Sequence, residues 1–73
     1  MLELHGPAER MIEVLKTVVK GEVFIDEEKD LATLNTGYIK RTSNDVDKIL
    51  DYLISSDWIH FGNKWVQNPN ISH

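Results

Sequence analysis

Apolar residues recur at Ala8, Met11, Leu15, Val18 and Val19, the i, i+3/i+4, i+7 spacing of one helical face. The pattern predicts a first helix over residues 8–20. Pro7 suits its first position and Gly21 its stop. The surface pairs of this segment add no attraction, so a buried stripe must hold it. Glu22-Val23-Phe24-Ile25 is β-branched and aromatic, and reads as a short strand or an extended connector. Asp26 can cap a second helix, with Glu27 and Glu28 in its first turn, Leu31 and Leu34 inward, and an end near Asn35. Asn35-Thr36-Gly37 is a turn signal. Tyr38-Ile39-Lys40-Arg41 reads as a helical turn or an irregular connector, with Tyr38 half-buried. Thr42-Ser43-Asn44-Asp45 then starts a helix that runs to about Ser56, with Val46, Ile49, Leu50 and Leu53 as its stripe.

The chain closes on a hairpin. Trp58-Ile59-His60-Phe61 and Lys64-Trp65-Val66-Gln67 flank Gly62-Asn63, and glycine first in a two-residue loop fits a type II′ turn. That register sets Phe61 opposite Lys64, His60 opposite Trp65 and Ile59 opposite Val66. Ile59, Phe61 and Val66 share one face and are expected to join the core. Trp58, His60 and Trp65 take the other face, either pointing away from the core as anchors or with Trp58 closing the core edge while Trp65 packs across the hairpin against His60. Residues 68–73 are polar and interrupted by Pro69, and read as a frayed tail.

Helix, short strand, helix, turn, helix, hairpin over residues 8–67, with the Leu53-Ile54-Ser55-Ser56-Asp57-Trp58-Ile59 junction, resembles the winged-helix superfamily. The resemblance implies an α+β fold: a compact three-helix domain with a C-terminal β-hairpin wing, a core over 8–67 and a tail over 68–73. The connection from Leu34 to Thr42 is longer than a simple helix-turn-helix turn. In DNA-binding members the third helix enters the major groove. Carried over, that role falls to Thr42, Ser43, Asn44, Asp47, Lys48 and Asp51, with Lys40, Arg41 and Lys64 toward phosphate. The DNA-binding reading therefore uses Lys40, Arg41, Ser43, Asn44, Lys48 and Lys64. Asp45, Asp47 and Asp51 oppose it, because carboxylates facing a phosphate backbone are repelled. By size and charge the chain is also similar to small phage-encoded transcription regulators that bind host RNA polymerase.

Composition narrows the classes. Seventy-three residues make one domain, 1–73, and 41% apolar residues can fill its core. There is no cysteine, so neither a disulfide nor a thiolate metal site contributes. The start lacks a signal-peptide pattern and no apolar run suits a bilayer, so a cytoplasmic protein is expected. The net charge of −4 disfavours nucleic acid and favours a basic protein surface as partner. Asp26, Glu27, Glu28 and Asp30, with Glu22 nearby, form the acidic cluster expected to meet it. Trp58, His60 and Trp65 are the hairpin residues expected to anchor it, since tryptophan is enriched at interface hot spots. A structural subunit would instead hide that hairpin face in an oligomer. The histidines are scattered, and phosphate loops and nucleophile motifs are missing. The expected function is a non-enzymatic regulator, without cofactor, metal or small-molecule substrate. It would act by protein–protein binding, plausibly on a transcription or nucleic-acid machine such as RNA polymerase.

Overall fold

The computed structural model describes residues 2–67. Eight elements follow one another: β1 (Leu2–His5), α1 (Ala8–Leu15), β2 (Glu22–Asp26), β3 (Leu31–Asn35), β4 (Ile39–Ser43), α2 (Val46–Ser55), β5 (Trp58–Phe61) and β6 (Lys64–Gln67). The strands form one six-stranded sheet in the order β1-β4-β3-β2-β6-β5. Only β1 and β4 pair in parallel; every other neighbour is antiparallel. Both helices lie on one face, and the core is the layer between them and the sheet.

The class is α+β, but the three-helix winged-helix arrangement is corrected to two helices on a mixed six-stranded sheet. The expected second helix is a β-hairpin. Asp26 pairs with Leu31 and residues 27–30 turn between them. Asp26 Oδ1 accepts a hydrogen bond from the Lys29 N–H at 3.1 Å. An aspartate carboxylate bonding an N–H three residues on serves a helix cap and a tight turn alike. Asp30 takes the left-handed region at φ 52°, which aspartate tolerates and which stops a helix from propagating. Leu31 and Leu34, three apart, suit a helical stripe. In the strand they fall on opposite faces, and Ala32 and Leu34 enter the core.

The reading of Glu22–Ile25 as a strand holds, as β2. Ile39–Arg41, read as part of a helical turn or connector, and Thr42–Ser43, read as a helix start, form β4, and the helix begins only at Val46 after Asp45. The N-terminal Leu2–His5, outside the expected core range of 8–67, is a sheet strand. Pro7 precedes α1 as its N-cap, and the helix stops at Leu15 instead of residue 20. Ala8, Met11 and Leu15 are buried as the periodicity required, whereas Val19 is 89% exposed beyond the helix end. The helix of residues 46–55 keeps its expected stripe: Val46, Ile49 and Leu53 are buried and Leu50 packs beside them. Gly37 sits at φ 94°, as the turn signal required, and donates its N–H to Asn35 Oδ1 at 2.9 Å. Tyr38, expected to be half-buried, is 83% exposed.

The C-terminal hairpin has the expected register, Phe61 to Lys64, His60 to Trp65 and Ile59 to Val66, and Gly62 has φ 66°. Its faces are reversed relative to expectation. Trp58 is 4% exposed within the core and Trp65 packs against that core, while Ile59 and Phe61 are exposed at 40% and 66%. Register fixes which side chains share a face; the rest of the fold chooses which face turns inward. Only Ser56 and Asp57 separate α2 from β5. The two indole rings offer the larger apolar area, about 150–250 Å² each, so the helix side takes them. The expected tail, residues 68–73, lies outside the described residues.

Candidate interaction surface on the uncovered sheet face

Strand pairings align side chains in rows across the face that neither helix covers. One row runs His5, Thr42, Thr33, Phe24, Lys64, Phe61. The next runs Glu3, Lys40, Asn35, Glu22, Val66, Ile59. Strands spaced about 4.8 Å apart put Phe24 and Phe61 roughly 10 Å apart, on either side of Lys64. Val66 and Ile59 stand beside them, so the β2-β6-β5 end of the face carries an apolar patch. A phenylalanine two-thirds exposed within such a patch, as Phe61 is on the edge strand, is the informative kind of exposure.

The ions of this face pair among themselves. Lys64 bonds Glu22, and Lys40 lies 3.7 Å from Glu3. His5 Nδ1 and Thr42 Oγ1 share a hydrogen bond at 2.7 Å. What stays uncompensated is the turn after β2, where Asp26, Glu27, Glu28 and Asp30 oppose Lys29 alone. Their side chains are exposed and border the patch, since Asp26 follows Phe24 on the same face. Glu22, grouped with them in sequence, stands at the far end of β2, about 13 Å away at strand rise.

The other expected site residues spread over several surfaces. Trp58, His60 and Trp65 lie on the helix side of the sheet, and His60 stacks on Trp65 with centroids 5.0 Å apart. Arg41 and Ser43 also face the helices. Ser43 is fully buried and its Oγ accepts from the Asp45 N–H, which opens α2; Arg41 Nε is buried without a hydrogen-bond partner. Asn44 donates to the Asp30 carbonyl at 3.0 Å. Lys48 reaches Glu9 at 2.8 Å and Asp45 at 3.7 Å. Lys40 and Lys64 share the uncovered face but are already paired. The six residues proposed for DNA therefore do not form one cationic surface.

Ile59 and Phe61, expected in the core, are exposed on this face, and Val66, also expected in the core, and Phe24 stand half-buried beside them. Val23-Phe24-Ile25 is a continuous apolar run, so alternation could not tell which of the three points outward.

The Glu9–Lys48 pair ties α1 to α2. The hydrogen bond from Lys48 holds the Glu9 carboxyl below its ordinary value of 4.5, and Glu9 in turn raises the Lys48 ammonium. For a depressed acid, the stabilisation is present above the unfolded value and is lost as pH falls through the folded one. The Lys48→Met variant is expected to have a lower urea midpoint than the parent near pH 7. That difference should shrink as pH falls below the ordinary carboxyl value of 4.5. Equal midpoints near neutrality would show that the pair contributes nothing.

At the opposite end of the strands a broad open groove of about 1190 Å³ lies between the loop after α1 and the turn before β4. Among the described residues no group of three or more His, Cys, Asp or Glu could hold a metal ion. No helix among them is long and apolar enough to cross a membrane. No protein-family model, curated protein or solved structure matches the chain.

Proposed function

We propose that this chain is a non-enzymatic regulator of the cytoplasm that binds a protein partner through the uncovered face of its sheet. The partner presents an apolar ridge to Phe24, Ile59, Phe61 and Val66, and cationic side chains to the acidic turn of residues 26–30. A subunit of a transcription or nucleic-acid machine, such as RNA polymerase, has this chemistry, because proteins that handle nucleic acid carry basic surfaces. One observation carries the reading: Phe61 stands two-thirds exposed in an apolar patch whose neighbouring ions are internally paired, next to a turn whose carboxylates are not.

Duplex DNA is the weaker candidate. Asp45, Asp47 and Asp51 lie on the solvent side of α2, and Lys48 is committed to Glu9 and Asp45. Charge of that sign opposes phosphate.

Capture from lysate of the source cell with three baits tests the proposal: the parent, Phe61→Ala, and Glu27→Lys/Glu28→Lys. The parent is expected to retain a partner that both variants lose. Loss of a central aromatic anchor typically costs about 2 kcal/mol or more, roughly thirtyfold in affinity. Equal retention by all three baits would overturn the reading. So would salt-dependent duplex binding that Lys40→Ala and Lys64→Ala weaken.

A further inference from the structure

We infer that the slot between Tyr38 and the loop after α1 binds an aromatic monocarboxylate, with its ring against Tyr38 and its carboxylate on Lys16 and Lys20. The inference goes beyond the proposed partner and uses none of Phe24, Ile59, Phe61 or Val66.

The slot opens off the broad groove at the end of the strands and has a volume of about 450 Å³. That lies within the roughly 300–1,000 Å³ of ordinary small-molecule sites, which are lined mostly by apolar and aromatic side chains with a few polar groups. Tyr38 lines it from the β3-β4 turn, and Val18 and Val19 line it from the loop after α1. Tyr38 is 83% exposed and Val19 89%, so neither side chain contributes to the core. Lone apolar residues on a surface need no explanation, but these two share one slot.

Both walls are set by the backbone. Gly21 brings the loop close onto β3: a Cβ there would lie 3.4 Å from the Asn35 carbonyl oxygen and 3.5 Å from Val18 Cγ2. On the other side the Thr36 hydroxyl accepts from the N–H groups of Tyr38 and Ile39, at 3.3 and 3.0 Å. The slot is therefore formed before a ligand arrives, which lowers the ordering cost of binding.

Its chemistry selects the ligand. The two hydroxyls that line it are already used, Thr36 in its turn and Thr17 in donating to the Val14 carbonyl at 3.1 Å. Apart from Lys20, the walls offer only stacking and apolar contact. The polar edge of a nucleobase would go unanswered there, so a hydrocarbon ring fits better than a base.

Charge completes the choice. Lys20 lines the slot and Lys16 the groove beside it, and neither makes an ion pair among the described residues. Glu22, the only carboxylate among the described residues that lines the groove, is bonded to Lys64. Lysines act on anions as point charges, without the arginine fork that matches phosphate. The chain's net charge of −4 also repels a dianion more than a monoanion.

Titration of the full chain with phenylpropionate, followed by amide NMR, is expected to move the resonances of residues 16–20 and 36–39 with a Kd of about 1 mM. Tyr38→Ala is expected to weaken binding about tenfold, and Lys16→Ala/Lys20→Ala about fivefold. Both variants change exposed side chains, so their circular dichroism spectra should match that of the parent. Phenylpropionamide, which keeps the ring and lacks the charge, is expected to bind the parent as weakly as the acid binds the lysine variant. Phe61→Ala is expected to keep the parental affinity for the acid, so failure of partner capture and failure of this site are read separately. No saturable shift at these residues up to about 10 mM phenylpropionate would overturn the inference. So would equal affinity for acid and amide, tighter binding of adenosine monophosphate than of the acid, or a Tyr38→Ala protein that binds like the parent.

Discussion

Trp58→Ala is expected to destabilise the fold by about 3–5 kcal/mol, whereas Phe61→Ala is expected to change it by less than about 1 kcal/mol. Both residues are large aromatics on the same short strand, three positions apart. Trp58 is almost wholly enclosed and belongs to the core cluster with Leu53 and Ile49. Removing its ring leaves a cavity that the surrounding side chains can only partly close. Phe61 already faces water, so its truncation removes little burial. Small domains have total stabilities near the low end of about 5–15 kcal/mol, and the first substitution should therefore leave much of the chain unfolded at 37 °C. Urea unfolding followed by circular dichroism measures both. The reverse ranking would restore the hairpin orientation expected from sequence, with the indoles outside.

The second large effect separates a strand from a helix over residues 31–35. Leu34→Ala is expected to cost about 2–5 kcal/mol, because Leu34 is fully buried against Val23 and the helix layer. Leu31→Ala is expected to cost clearly less, since Leu31 points to the uncovered face and is only half-buried. A helix with both leucines in its stripe would make the two losses similar. Matched losses in denaturant midpoints would contradict β3; well-separated ones would support it.

What could be read from the chain follows from how far each signal reaches. The two helices show a stripe with a 3.6-residue period, and Met11, Leu15, Ile49 and Leu53 went where that period sends them. The hairpin register was legible because a two-residue loop with Gly62 leaves few alternatives. Three things were not legible. Asp26 makes the same local hydrogen bond in a turn as at a helix start, and Leu31 and Leu34 suit either period. Strand β1 is four residues long and its partner lies in a distant segment, so local patterning does not reveal it. The orientation of the hairpin depends on where α2 lands. The candidate surface was hidden for that last reason: expected anchors Trp58 and Trp65 turned inward, and Ile59, Phe61 and Val66 turned outward with Phe24. The acidic turn survived as a surface feature because it needed only exposure, whichever element carried it.

The parallel pairing of β1 with β4 has a consequence for synthesis. His5 meets Thr42 across 37 residues of sequence, and everything between them belongs to the same sheet or to α1. A nascent chain emerging from the ribosome holds β1 without this neighbour until Ser43 has cleared the exit. The hairpins 22–35 and 58–67 close locally and quickly, while this edge must wait for a 37-residue separation to close. Strand β1 is thus made well before its neighbour and settles late.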